Sequence, residues 1–144
     1  MIWKECIASG MVRRRTKDLE LARSLLNTAK DRIEAYAKEM VITEKNARFV
    51  FEEYYEAILE LLHALIALEG YKSYNHECAI EFLREFYGTI FNDSEIELLH
   101  RLRRIRNSIK YYGALMSKKE VEELLRDGEL IFNKILDFVE AEMR

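Results

Sequence analysis

Residues Thr43–Gly70 read TEKNARFVFEEYYEAILELLHALIALEG, and this stretch decides the fold. Ala47, Phe51, Tyr54, Ile58, Leu61, Leu65 and Leu68 recur in steps of three and four, which places them on one face of an α-helix. Val50, Leu62 and Ile66 widen the stripe, so the helix is central and buried on more than one side. Thr43 stands as its N-cap with Glu44 in the first turn, where the helix dipole favours an acid, and Gly70 ends it. The most apolar part, Ala57–Leu68, is interrupted by Glu60 and His63 and is too short to span a bilayer.

Working outward, the same periodicity continues almost everywhere. A first long helix is expected from Val12 to Met40, with Leu19, Ala22, Leu26, Ala29, Ile33, Tyr36 and Met40 as its stripe. Ser73 or Asn75 caps a shorter helix through Ile80, Leu83 and Tyr87, stopped by Gly88. Asp93 or Ser94 caps a fourth, bearing Ile96, Leu99, Leu102, Ile105, Ile109 and Tyr112 and closed by Gly113. Ser117 caps a fifth, with Glu120 at the capping-box position. Gly128 falls on the fifth stripe and reads as a close-packing point within a continuous helix. No segment alternates with period two for long enough to make a strand. The expectation is an all-α fold, an antiparallel up-and-down bundle of four to five helices. Residues 1–144 form a single domain, and residues 1–11 supply a short extra helix that packs Trp3 and Ile7 on the bundle or on a second subunit.

The chain has 144 residues, no proline, a net charge of −3, 49% hydrophobic and 34% charged residues. That balance excludes a disordered tail, and the length supports a core without a metal or disulfide. Met1-Ile2-Trp3-Lys4-Glu5 has a charge pair where a signal peptide is apolar. Cys6 and Cys78 belong to no C-x-x-C and have no His or Cys neighbours at zinc spacing, so they read as reduced thiols of a cytoplasmic protein. No metal or other cofactor is expected, since neither ligand spacing nor a phosphate-cradling glycine loop occurs.

Charge is unevenly spread. Leu98–Tyr112 reads LLHRLRRIRNSIKYY, with Arg101, Arg103, Arg104, Arg106 and Lys110 and no acid. On a helix Arg103, Arg106 and Lys110 share a face, with Tyr111 and Tyr112 at its C-terminal end. Guanidinium forks match phosphate oxygens and aromatic rings stack on bases. The same cations can also serve the helix dipole or pair with Glu120, Glu122 and Glu123. A second cluster, Arg13, Arg14, Arg15 and Lys17, is either a solvated helix end or an extension of a basic surface.

The order of features resembles the HEPN family (higher eukaryotes and prokaryotes nucleotide-binding). The features are Glu52-Glu53-Tyr54-Tyr55-Glu56-Ala57, then Gly70-Tyr71-Lys72-Ser73 leading to Asn75-His76-Glu77, then Arg106-Asn107-Ser108-Ile109-Lys110-Tyr111-Tyr112-Gly113. The resemblance runs from about Val12 to the end of the chain. It implies a helical bundle that dimerises, with an Arg, an Asn, His or Asp, and a later His lining a cleft between protomers. Many members are metal-independent ribonucleases that use the RNA 2′-hydroxyl as nucleophile, and some are toxins paired with small nucleotidyltransferase antitoxins. By this likeness Arg106 binds the scissile phosphate and Asn107 positions it. This chain departs from the pattern where the motif histidine is due, at 111 to 113, because it has Tyr111, Tyr112 and Gly113. A phenol with an ordinary pKa of about 10 replaces an imidazole with one of about 6.5, and a missing acid–base group typically costs on the order of 10²–10⁴ in rate.

The remaining histidines read differently. His63 is a core or interface histidine, His76 serves local capping, and His100 is an alternative proton carrier. The expected site is therefore Arg106, Asn107 and Tyr111, with Arg103, Lys110 and Tyr112 adding phosphate contacts. Two functions compete: an RNA- or nucleotide-binding protein of a toxin–antitoxin or defence system with weakened or absent nuclease activity, and a silent dimeric module pairing with a nucleotidyltransferase partner. A third is an active ribonuclease using Tyr111 or Lys110. No membrane partner is expected.

Overall fold

The computed structural model describes residues 1–144 and is an all-α helical bundle with one very small sheet. Its elements are α1 (Trp3–Ala8), β1 (Val12–Arg14), α2 (Leu19–Glu34), a 3₁₀ turn (Ala37–Glu39), α3 (Ala47–Leu68), β2 (Tyr71–Ser73), α4 (His76–Tyr87), α5 (Asp93–Tyr112) and α6 (Lys118–Glu142). Helix α3 is the hub. Val50, Phe51, Ile58, Leu61, Leu62, Leu65 and Ile66 are all buried, on more than one side of it, and it packs on α2, α4, α5 and α6. The widened apolar stripe demands this placement, because such a helix must bury more than one face.

Helix α2 is shorter than its stripe suggests. Asp18 caps it by accepting a hydrogen bond from the Leu21 N–H, and residues 12–14 form a strand instead of a first turn. Leu19 and Tyr36, at the ends of the expected stripe, are exposed. The strand pairs antiparallel with β2, setting Val12 opposite Ser73, Arg13 opposite Lys72 and Arg14 opposite Tyr71. Three residues per strand are too few for a period-two pattern to show, which is why the sheet escapes sequence reading. Gly70, at φ +81°, makes the turn into β2, and a Cβ there would lie 3.0 Å from the Arg15 carbonyl oxygen.

The strand β2 carries the chain back along α3 before α4 begins. His76, at the start of α4, meets Tyr55 in the middle of α3, while Tyr87 at its end bonds Glu69 just past the end of α3. Helix α4 therefore advances in the same sense as α3, where a tight turn would have reversed it, and α5 makes the reversal.

Other boundaries follow side-chain caps. A reciprocal pair, Thr43 and Asn46, precedes α3, which starts at Ala47. Asn92, not Asp93 or Ser94, caps α5 in a capping box with Glu95. Ser117 and Glu120 form the expected box on α6. Helix α6 runs unbroken through Gly128, where an added Cβ would meet only Leu125 Cδ2 at 3.7 Å, so close packing is not what keeps glycine there.

Helix α1 packs Trp3 edge-on against Tyr71, Phe82 and Phe86, while Ile7 faces solvent. Cys6 and Cys78 are joined in a disulfide rather than free. They are 72 residues apart, and only the docking of α1 on α4 brings them together, so no local spacing betrays the bond.

Candidate phosphate-binding cleft

The basic helix α5 is held in register by its capping box and by burial of Ile96, Leu99, Leu102 and Ile109. That rotation turns Arg103, Arg106 and Asn107 toward the first turn of α4. From the opposite side, the Ser73 hydroxyl donates to the Asn75 carbonyl at 2.7 Å. The Asn75 side chain caps α4 by accepting from the Cys78 N–H. The cap is thus Asn75, and the His76 side chain, expected to cap, is free to line a cleft.

This cleft has a volume of about 290 Å³ and is walled by Tyr74, Asn75, His76, Glu77, Arg103, Arg106, Asn107 and Tyr111. It unites four of the residues singled out from sequence, Arg103, Arg106, Asn107 and Tyr111. Lys110 and Tyr112 do not line it. Both are exposed on the last turn of α5, where Gly113 in the left-handed conformation closes the helix. His100 lies elsewhere, buried, with its Nε2 2.6 Å from Glu81. His63 is half-buried beside a separate cleft of about 700 Å³ between α2, α3 and β2.

The electrostatics of the small cleft are lopsided. The Arg106 guanidinium carbon lies 5.9 Å from the centre of the Tyr55 ring and 6.0 Å from that of Tyr111. Arg103 buries its Nε with no hydrogen-bond partner. None of Arg101, Arg103, Arg104, Arg106 or Lys110 has a carboxylate within ion-pair distance. The alternative pairing with Glu120, Glu122 and Glu123 is therefore not made. The one acid on the wall, Glu77, is bonded to the Met1 amino group at 2.7 Å, which holds its carboxyl below the usual range.

His76 responds to this field. Burial, then Arg106, His63, Arg103 and Lys110, pull its pKa down to about 4, so the ring is neutral at physiological pH. The Tyr55 hydroxyl sits 3.5 Å from its Nδ1. Burial pushes that hydroxyl well above its ordinary value, so it stays protonated. The cleft thus offers two unpaired guanidiniums, a carboxamide and a neutral imidazole. That set suits an anion with several oxygens, because the guanidinium forks and the carboxamide N–H groups donate to oxygen acceptors, while the neutral imidazole offers one donor and one acceptor nitrogen.

No protein family, no curated protein and no solved structure matches the chain. No group of three His, Cys, Asp or Glu is placed to hold a metal ion, and no helix is long and apolar enough to cross a membrane.

Sequence reasoning missed Tyr74, Asn75 and His76 as partners of Arg106. The Asn-His pair directly after a glycine-led turn was visible, but its meeting with residue 106 depends on β2 returning the chain along α3.

Proposed function

We propose that the chain is a HEPN-type RNA- or nucleotide-binding protein, a degenerate or atypical ribonuclease of a toxin–antitoxin or defence system. The observation that carries this reading is the pair Arg103 and Arg106, set with Asn107 against His76 and left without any carboxylate partner. A partly buried guanidinium with no carboxylate partner leaves its fork open to an anion with several oxygens. In this reading Arg106 and Arg103 grip the phosphate, Asn107 orients it, and Lys110 and Tyr112 border the site.

Strand cleavage, where it survives, joins the RNA 2′-oxygen to phosphorus and releases the 5′-oxygen. The 2′-hydroxyl proton goes to His76, and water supplies the proton of the leaving oxygen. Tyr111 on the cleft wall and Lys110 outside it are the other carriers this chemistry has at hand. A base with a pKa of about 4 is weak at neutral pH, because acid–base catalysis is strongest when the pKa lies near the working pH. That fits reduced activity and favours binding as the main role. The reading also includes a homodimer whose two Arg106 corners share one opening, a nucleotidyltransferase partner, and a cytoplasmic setting. Disulfides are rare in cytosolic proteins, so the buried Cys6–Cys78 bond no longer lends that setting the support that free thiols would.

The test is fluorescence anisotropy with single-stranded RNA across a salt series. Wild type should bind with a steep salt slope, and Arg106→Ala should lose binding. Undetectable binding at low salt, or an unchanged Arg106→Ala, rejects the reading. Products with cyclic phosphate ends, lost in His76→Ala, report surviving cleavage.

A second reading is supported by Tyr111, Tyr112 and Leu115, which stand 66%, 86% and 79% exposed at the end of α5. Such a tip suits a silent module that pairs with itself or with a nucleotidyltransferase. Here Arg106→Ala changes the mass measured by light scattering and leaves RNA binding untouched.

A further inference from the structure

The second basic cluster is the N-terminal strand of the small sheet. Arg13 stands directly across from Lys72, and like charges facing each other across an antiparallel pair destabilise it. Successive strand residues point to opposite faces, so Lys72 and Tyr74 share a side, and Arg13 joins them there. The Tyr74 ring has the Lys72 Nζ at 5.3 Å from its centre and the Arg13 guanidinium carbon at 5.6 Å. Its hydroxyl accepts a hydrogen bond from Arg15 Nη2 at 2.8 Å. Tyr74 is 51% exposed, and Arg13, Arg15 and Lys72 are exposed with it. No carboxylate reaches any of the three cations.

Arg13 and Arg15 are held by the Gly10 and Arg14 carbonyls as well as by Tyr74, yet three cations gathered at one aromatic side chain still lack a counter-charge. A ligand with a planar group and regularly repeated negative charge gives one. Sequence-tolerant strand binding combines such cations with aromatic stacking. Tyr74 also walls the Arg106 cleft, so the two features are contiguous. At about 290 Å³ that cleft lies at the small end of ligand pockets, which span roughly 300–1,000 Å³. A ligand longer than one nucleotide must leave it, and across Tyr74 it meets Arg13, Arg15 and Lys72.

We propose that Tyr74 with Arg13, Arg15 and Lys72 forms a second subsite, a stacking platform with phosphate contacts. It makes the ligand a single strand of several nucleotides rather than a mononucleotide. The inference rests on the reading of the Arg106 cleft as a phosphate site.

The test compares a diuridylate with an octauridylate in wild type, Arg106→Ala, the double variant Arg15→Ala with Lys72→Ala, and Arg13→Glu. Wild type should bind the octamer at least tenfold more tightly than the dimer. The double variant should keep dimer affinity within twofold while the octamer advantage falls below threefold. Arg13→Glu should lose the same advantage and melt at a higher temperature, since it converts the Arg13–Lys72 repulsion into an ion pair. Arg106→Ala should weaken both ligands. An octamer advantage retained by the double variant overturns the second subsite. Unchanged dimer binding in Arg106→Ala overturns the phosphate cleft instead, so the two failures are distinguishable. Equal displacement of the octamer by a poly-glutamate peptide of matched charge overturns nucleic acid as the occupant.

Discussion

The Arg106 guanidinium carbon lies 5.9 Å from the centre of the Tyr55 ring, with no carboxylate in reach. Tyr55 is fully packed in the core, while Tyr111, 6.0 Å from the same carbon, is exposed. Arg106 therefore has one packed ring and one exposed ring within cation–π reach. A planar cation stacks and forks where an ammonium does neither. Arg106→Lys should keep the charge and still weaken RNA binding about tenfold, about 1.4 kcal/mol. Anisotropy titrations check this, and an unchanged affinity would show that charge alone suffices.

The depressed pKa of His76 has a stability consequence whose sign can be worked out. Unfolded, the ring titrates near 6.5; folded, near 4. Between these values the unfolded chain binds a proton that the folded chain does not, so stability falls as pH drops through that window and levels off below it. His63, lowered by burial, adds to the same slope. Glu77, Glu95 and Glu120, each held low, add their loss only below about 4.5. Urea unfolding at pH 7 and pH 5 should show a smaller difference in His76→Gln than in wild type. An equal difference would mean His76 titrates normally.

The same ring should report the ligand. An anion beside His76 offsets the field of Arg103 and Arg106, so its pKa rises on binding and affinity strengthens as pH falls from 7 toward 5. The His76 ring resonances, titrated with and without a dinucleotide, check this directly. Identical titration curves would place the phosphate away from His76.

Much of this molecule was open to reading because its signals are local. The stripes of α3, α5 and α6, the Ser117–Glu120 box and the acid-free run around Arg106 each lie within one helix, and side chains three or four apart are neighbours whatever the fold does. What stayed hidden depends on distant pairing. The strand Val12–Arg14 exists because Tyr71–Ser73 returns beside it, and that return also moves His76 from a cap to a cleft wall. The basic run Arg13–Lys17 left two readings open, a solvated end or a basic surface. It is Arg15 bonding Tyr74 that joins it to the surface around the Arg106 cleft.

The disulfide ties α1 to α4 two residues beyond His76, across 72 residues of sequence. Closing a loop of that length removes unfolded-chain entropy worth about 4 kcal/mol in the loop-closure account. Cys6→Ala with Cys78→Ala should lower the melting temperature by on the order of 10 °C. Both sulfurs are inaccessible, so reductant added to the folded protein should act slowly, while reductant added during refolding should reproduce the lower melting point. A double variant that melts like the wild type would mean the bond contributes nothing.

Gly128 offers the opposite sign. It sits mid-way along α6 in ordinary helical conformation, and an added methyl would touch only Leu125 Cδ2 at 3.7 Å, an ordinary contact. Glycine within a helix costs about 1 kcal/mol relative to alanine through the freedom it gains on unfolding. Nothing in the packing returns that cost, so Gly128→Ala should stabilise the protein by about 0.5–1 kcal/mol. Urea unfolding measures it as a higher midpoint at unchanged slope, because the substitution alters neither the surface exposed nor the fold. A lower midpoint would show that the buried surroundings of Gly128 cannot take the added methyl without a shift of α6.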